Sequence, residues 1–266
     1  MKTRAISAVV MLAIFVPLLV LGGTWFDIAV FVLAFLALKE FIDMKETKKQ
    51  LPFFAKVISY LFMALLIATN IMSKNNNLEI DFRILSAFFM TFLIPTILYH
   101  DKNKYSIEDA YYLIGGISFL SLSFVLLSVV RNARLALIVY LFLITILTDT
   151  FAYLTGLLIG KHKMIECVSP KKTWEGSIGG TFMGVFISTV FYLTVINPDA
   201  GVIKMGLVGL FLSILAQFGD LVFSSIKRFF NKKDFSNLIP GHGGILDRLD
   251  SIIFVLLGFM FIWTIL

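Results

Sequence analysis

Residues 135–160 read LALIVYLFLITILTDTFAYLTGLLIG, and Asp149 is the only charged side chain among them. A bilayer has a hydrocarbon core about 30 Å thick, which a helix crosses in roughly 20 residues. Within that core, only helices and closed barrels satisfy all of their backbone hydrogen bonds. The run is continuous rather than alternating and is too long for a barrel strand, so it predicts a transmembrane helix.

Similar apolar runs recur along the rest of the chain. Of all residues, 59% are apolar and only 15% are charged, with a mean hydropathy of +0.92. A soluble domain is nearer half apolar and a quarter charged, so that class is excluded. The aromatic content of 15% excludes disorder, and the single Cys167 excludes a disulfide scaffold. The other eight predicted spans are residues 5–23, 25–43, 54–73, 82–99, 109–130, 177–196, 203–223 and 250–266.

These patterns predict an all-α, polytopic integral membrane protein with about nine transmembrane helices. We expect a single membrane domain over residues 1–266, with spans one to five in 1–130 and spans six to nine in 131–266. No small-residue cleavage site follows the first run, and the second run begins almost at once. We therefore expect a retained helical hairpin there rather than a cleaved signal peptide.

The distribution of Lys and Arg predicts the orientation. With the N-terminus in the cytoplasm, eighteen of the 23 basic residues fall in cytoplasmic segments. Such an excess marks the cytoplasmic side of a membrane protein. The net charge of +6 is thus mainly a topology signal and does not indicate nucleic-acid binding. The five basic residues left outside are Lys74, Arg83, Arg131, Arg134 and Lys204.

Two acids interrupt the apolar spans. Asp149 lies about half-way along span six, and Asp220 lies near the cytoplasmic end of span eight. A charged side chain at the centre of a membrane helix costs about 2.5–3.5 kcal/mol on insertion scales. Each acid is therefore either a hydrogen-bonded or salt-bridged core residue or part of a wet cavity open to the cytoplasm.

The segment 224–250 concentrates groups that bind phosphate. Lys227, Arg228 and Lys233 supply positive charge for a polyanion, and an Arg guanidinium can hold a phosphate with two parallel hydrogen bonds. Gly243 and Gly244, preceded by Gly241, permit the positive φ and close backbone approach of a phosphate-cradling turn. His242 lies between these glycines and is the histidine with a predicted function.

Two carboxylates follow the glycine turn. Asp247 and Asp250 stand at positions i and i+3 of a helix that begins there, so they share one face. Such oxygen ligands suit Mg²⁺, which binds carboxylates and substrate phosphates together. We expect Asp220 to end the preceding helix, so that the loop brings it close to Asp247. The alternative is that both acids only complement a helix dipole.

The loop 161–176 is the other charged cytoplasmic loop. Lys171 and Lys172 come just before Thr173 and the start of a helix, where a phosphate or a lipid headgroup would bind. The alternative is a patch that only fixes topology, with Trp174 as an interface anchor. The chain lacks zinc-ligand spacing, a GxSxG elbow and a GxxxxGK[ST] phosphate loop.

Residues 224–250 read SSIKRFFNKKDFSNLIPGHGGILDRLD, which resembles the signature of the phosphatidate cytidylyltransferases at every specified position. These enzymes are also called CDP-diacylglycerol synthases. Residues 149–162, followed by SPKKTWEG at 169–176, resemble the family's other recurrent block. The resemblance implies that CTP and phosphatidate give CDP-diacylglycerol and diphosphate, with Mg²⁺ and a possible second cation as cofactors.

The resemblance also implies residue roles. Asp220 and Asp247 would bind the metal, and Asp250 and Asp149 would be further ligands or would support them. His242 would shape the turn with Gly243 and Gly244 and protonate the departing diphosphate. Positively charged side chains would neutralise the triphosphate and the phosphatidate headgroup: Lys171, Lys172, Lys227, Arg228, Lys233 and Arg248. Ser169, in the matching block, would also bind phosphate.

Further implications concern partners and place. The family suggests a homodimer, and the compact layout suggests a bacterial inner (plasma) membrane with the active site facing the cytoplasm and membrane lipid around it. Three other functions agree less well with the sequence. A CTP-dependent lipid-alcohol kinase is disfavoured by the match at 224–250. A CDP-alcohol phosphotransferase is disfavoured because its aspartate pattern is missing. An ion-coupled transporter is disfavoured because no internal repeat is seen.

Overall fold

The computed structural model describes residues 2–72, 81–99, 101 and 103–263, and these form nine α-helices. The protein is an all-α polytopic membrane protein, as the sequence predicts. Lys74 and Lys102, which enter the charge count, lie outside the described residues, as do the ends of predicted spans 54–73 and 250–266. The helices are α1 (Lys2–Leu21), α2 (Gly23–Glu46), α3 (Phe53–Met72), α4 (Phe82–Leu98), α5 (Ile107–Ala133), α6 (Leu135–Ile159), α7 (Trp174–Phe191), α8 (Val202–Phe229) and α9 (Leu246–Ile262).

Within the described residues, five helical segments have both the length and the hydropathy needed to cross a membrane. They are Phe53–Asn70, Ile107–Ala133, Leu135–Ile159, Trp174–Ile196 and Val202–Phe229. The helical segments Ile6–Leu21 and Phe82–Leu98 are also apolar but shorter. The number of spans and the cytoplasmic N-terminus remain predictions.

Helix α8 is longer than the predicted span 203–223. It continues to Phe229, so Ser224 and Lys227 are helical rather than part of a loop. The expectation that Asp220 ends this helix was therefore wrong, because more than two turns follow it. The extension is favourable because Lys227 and Arg228 lie in the last turn, where positive charge complements the helix dipole.

The loop 161–176 contains a short β-hairpin. Strands β1 (Lys163–Ile165) and β2 (Ser169–Thr173) pair antiparallel, with Lys163 opposite Thr173. The Thr173 side chain then caps α7 by accepting a hydrogen bond from the Gly176 N–H at 3.2 Å. The hairpin therefore fixes where α7 begins.

The residues group into two compact units. The first contains residues up to Ala133 together with 234–246, and the second contains 134–233 together with residues from Asp247 onward. In the first unit, α5 is largely buried against α2, α3 and α4. The inclusion of 234–246 in this unit is a long-range arrangement that local sequence patterns do not indicate.

The second unit contains α6 to α9, and its α6–α7 pair packs most extensively. Small residues allow this approach, because a Cβ added at Gly180 would overlap the Thr148 carbonyl and lie 2.7 Å from the Ala152 Cβ. Such close contacts through small residues are typical of membrane helix pairs. The Thr148 and Ser213 hydroxyls are 2.8 Å apart, which joins α6 to α8 by a hydrogen bond.

Candidate active site

One face of α8 carries a stripe of polar side chains through an otherwise apolar helix. The stripe consists of Ser213, Gln217, Asp220, Ser224 and Lys227, spaced three or four residues apart. All five are buried or half-buried, so the stripe faces other parts of the protein. This spacing places side chains on one side of a helix, and it is the sequence signal that could have identified the whole group.

Helix α9 approaches α8 closely beside Asp220. A Cβ added at Gly219 would lie 2.7 Å from the Asp250 carbonyl oxygen and 3.1 Å from the Ser251 Cα. Real side chains do not tolerate such contact with backbone atoms, so glycine is required at this position. The close approach brings Asp250 into electrostatic interaction with Asp220.

A third acid joins these two from α6. Asp149 interacts electrostatically with Asp220 and Lys172, and its carboxyl group hydrogen-bonds Ser251. Asp250 in turn interacts with Asp149 as well as with Asp220. Asp149 keeps an exposed surface. Three carboxylates on three helices therefore share one region of negative charge, called the acid cluster below.

Lysine side chains neutralise part of this charge. The Lys172 Nζ lies 2.6 Å from Asp220 Oδ2, and both side chains keep about a quarter of their surface exposed, at 23% and 30%. The Lys227 Nζ lies 2.7 Å from Asp247 Oδ1, and this pair is almost buried, at 9% and 3% exposed. The structure thus joins four predicted site residues in two ion pairs, one accessible and one enclosed.

Polar side chains that the sequence analysis did not assign to the site hold this arrangement. Gln217 accepts a hydrogen bond from the Ser177 hydroxyl and contacts the Thr181 hydroxyl through its Nε2 at 2.7 Å. The Ser224 hydroxyl donates to Asp220 Oδ1 at 3.3 Å. Lys172 also donates to the Gln217 carbonyl at 3.4 Å. The bonds of Gln217 connect α8 to α7, and those of Lys172 and Ser224 hold the Lys172–Asp220 pair.

The remaining predicted cations lie at the surface. Arg228 joins the end of α8 to the hairpin, donating to the Val168 carbonyl at 3.3 Å and the Lys232 carbonyl at 2.9 Å. Ser169 is half-buried at the start of β2. Binding of phosphate by this outer group stays a prediction. The exposed members are Lys171, Arg228, Lys233 and Arg248.

The glycine turn belongs to the first unit. Gly241 and Gly243 have positive φ angles of 77° and 83°, as predicted for a tight turn. The His242 N–H donates to the Ile239 carbonyl at 2.9 Å, which closes the turn, and the His242 side chain is half-buried. Gly244 is needed for another reason, because an added Cβ would overlap the carboxylate of Glu40.

The composition of the acid cluster is compatible with a divalent-cation site. Within the described part of the chain, no three Asp, Glu, His or Cys side chains converge closely enough to hold a metal ion by themselves. Mg²⁺ usually binds one or two protein carboxylates together with substrate phosphates and water, so it does not need three. The oxygens of Asp149, Asp220 and Asp250 are ligands of the type it prefers, and their mutual repulsion favours a bound cation.

Residues 2–266 match the family described as the cytidylyltransferase family. The chain belongs to this family. It is 37% identical over 257 residues to a phosphatidate cytidylyltransferase of Staphylococcus haemolyticus, with 96% of each chain covered. The corresponding enzymes of Staphylococcus saprophyticus and Staphylococcus aureus are 35% and 36% identical, also over 96% of each chain.

Membership of the cytidylyltransferase family gives the ion pairs a chemical interpretation. Transfer of a cytidylyl group brings phosphate groups together, and their repulsion is reduced by cations and by positively charged side chains. The Lys172–Asp220 pair is accessible, because both side chains keep part of their surface exposed. Lys227 is enclosed, and leaving either member of a buried pair without its partner is strongly destabilising.

This difference yields a prediction about the buried pair. Lys227→Met should lower the unfolding temperature in detergent by several degrees, because it leaves the Asp247 carboxylate buried without its cation, a loss of about 3–5 kcal/mol. The double variant Lys227→Met/Asp247→Asn should recover most of that loss while remaining without activity. Thermal unfolding and a turnover assay on the same samples check this. Recovery of activity along with stability would show that the pair is only structural.

Proposed function

We propose that this chain transfers the cytidylyl group of CTP to phosphatidate and releases diphosphate, which gives CDP-diacylglycerol. The observation that carries this proposal is the similarity, over nearly its full length, to phosphatidate cytidylyltransferases. The site supports it, because paired carboxylates and lysines lie inside a membrane protein, where a phosphate on a lipid can be reached. Phosphatidate can keep its acyl chains in the bilayer while its headgroup enters the site.

The reaction needs charge stabilisation more than proton removal. An oxygen of the phosphatidate phosphate attacks the α-phosphorus of CTP, and the bond from that phosphorus to the β-phosphate's bridging oxygen breaks. The attacking group is already ionised near neutral pH, so a strong general base is not required. The main barrier is the approach of two polyanions and the growth of charge on the departing diphosphate.

The residues of the site answer these needs in different ways. When bound, a divalent cation such as Mg²⁺ neutralises phosphate charge and favours departure of diphosphate. Asp220 and Asp250, with Asp149, would hold that cation. Lys172 would exchange its ion pair with Asp220 for one with a substrate phosphate. Asp247 is still predicted to be a metal ligand. It also accepts a hydrogen bond from Lys227, which orients the Lys227 ammonium.

The outer residues would guide the substrates. Lys171, Lys233 and Arg248 are exposed cations that attract the triphosphate and the anionic headgroup, and Arg228 ties the hairpin that carries Ser169 to α8. His242, as the sequence predicts, would protonate the departing diphosphate. We further propose that the enzyme is a homodimer in a bacterial inner membrane, with this site facing the cytoplasm.

The reaction is tested with purified protein, phosphatidate and Mg²⁺, using CTP labelled at the α-phosphate. We expect label in the lipid phase with an equal amount of diphosphate in the aqueous phase. Asp220→Asn should reduce the rate by at least about 100-fold, whereas Asp199→Asn, in an exposed loop of the same unit, should not change it. Transfer of γ-label to a lipid alcohol instead would contradict the proposal and favour a kinase.

The orientation is tested with the native Cys167, which is exposed in the hairpin. A membrane-impermeant maleimide should label it in inverted membrane vesicles and not in intact cells, because the hairpin is predicted to be cytoplasmic. In a Cys167→Ser background, Lys204→Cys should show the reverse pattern, since Lys204 is exposed and predicted to lie outside. Labelling of Cys167 in intact cells would place the hairpin on the outer side.

A further inference from the structure

Glu40 is a buried acid on α2, with only 3% of its surface exposed. Its Oε1 accepts hydrogen bonds from the Ser236 hydroxyl at 2.7 Å and the Ile245 N–H at 2.8 Å. Its Oε2 accepts one from the Leu246 N–H at 2.9 Å. All of these groups belong to the first unit, and about 200 residues of chain separate Glu40 from its partners.

The partners of Glu40 are the two ends of the segment 236–246. Ser236 lies before the glycine turn, and Leu246 is the first residue of α9. The first N–H groups of a helix have no partner within the helix, and a carboxylate beside them satisfies these donors and complements the helix dipole. Glu40 therefore acts as the N-terminal cap of α9 from a distant helix.

The glycine turn is shaped to accept this carboxylate. A Cβ at Gly244 would overlap both Glu40 carboxylate oxygens, so only glycine allows the turn to pass so close. The turn is also held by α1, because the Ser7 hydroxyl donates to the Pro240 carbonyl at 2.9 Å. The Ile239 N–H donates to the Gly243 carbonyl at 2.8 Å and closes the turn internally. The turn is thus fixed from α1, from α2 and from within.

We propose that Glu40 is a positioning residue for cytidylyl transfer. It holds the turn of His242 and Gly243 in place and caps the backbone of Ile245 and Leu246, where α9 begins. The proposal rests on the proposed function for the reaction that these residues serve.

Glu46 provides a matched control on the same helix. It also accepts a backbone hydrogen bond, from the Leu51 N–H at 3.0 Å, and it pairs with Lys56 at 2.7 Å. Both partners lie just after α2, so the bonds of Glu46 are local and do not involve 236–246. Loss of a hydrogen-bonded acid from α2 would in itself affect both variants, whereas a positioning role belongs to Glu40 alone.

The experiment compares Glu40→Gln, Glu40→Ala and Glu46→Gln in detergent-solubilised full-length protein. Glu40→Ala should lower kcat by about 10- to 100-fold, as loss of a group that orients catalytic residues typically does. Glu40→Gln keeps one acceptor oxygen and should recover part of that rate. The KM for CTP should change by less than about threefold, because Glu40 does not touch substrate. Glu46→Gln should match the wild type in both constants.

Amide hydrogen exchange supplies a readout that does not depend on turnover. Glu40→Gln should speed exchange in 236–250 by about tenfold or more and leave 47–52 unchanged, because a lost bond to a charged group frees the loop amides. Glu46→Gln should do the reverse. If the wild type has no cytidylyltransferase activity, the proposed function fails. Hydrogen exchange then still tests the tether, which is the set of hydrogen bonds from Glu40 to Ser236, Ile245 and Leu246.

Two results would overturn the positioning role. One is unchanged exchange in 236–250 in both Glu40 variants, which would mean that Glu40 does not hold the segment. The other is faster exchange with an unchanged kcat in a wild-type background that is active, which would mean that the tether is structural only. If Glu40→Ala does not fold, Glu40→Gln alone decides between these outcomes, since it preserves the shape of the side chain.

Discussion

The second unit depends on the need to satisfy charged side chains inside helices that are otherwise apolar. Asp220 and Lys227 lie on the polar stripe of α8, and each costs several kcal/mol in a membrane unless it is paired or hydrated. Lys172, Asp247 and the hydroxyl of Ser224 supply those partners. The glycine at 219 follows from the same need, because it lets α9 bring its acids beside α8. The pairing of these charges is what makes such an arrangement tolerable inside apolar helices.

Much of this architecture can be predicted from local patterns. The apolar runs identify the helices. The acids at 149, 220, 247 and 250 are recognisable because a charged side chain in or beside an apolar span is costly unless it is paired or hydrated. The end of α8 was misplaced because polar and charged residues begin at Ser224 and were interpreted as a loop, although their spacing continues the buried stripe. The hairpin was missed because Lys163–Ile165 and Ser169–Thr173 are short and largely exposed, so they lack an alternating apolar pattern.

The tether from Glu40 could not be predicted from one sequence. An acid near the cytoplasmic end of a predicted span is normally interpreted as an interface charge, and nothing near Glu40 in the chain marks it as buried. Its partners lie about 200 residues away, so only the fold relates them. The tether also explains Gly244, which the sequence analysis assigned to a phosphate cradle and which the structure places against Glu40. Conformational constraints on a loop therefore need not come from its ligand.

The central claim is that the acid cluster of Asp149, Asp220 and Asp250 binds a divalent cation. The most direct test is Mn²⁺ binding to purified protein without nucleotide, followed by electron paramagnetic resonance. Wild-type protein should bind Mn²⁺, Asp220→Asn should weaken that binding by at least about tenfold, and Asp199→Asn should leave it unchanged. Equal Mn²⁺ affinity in all three proteins would contradict the claim, and it would reduce the acid cluster to a set of structural partners for the lysines.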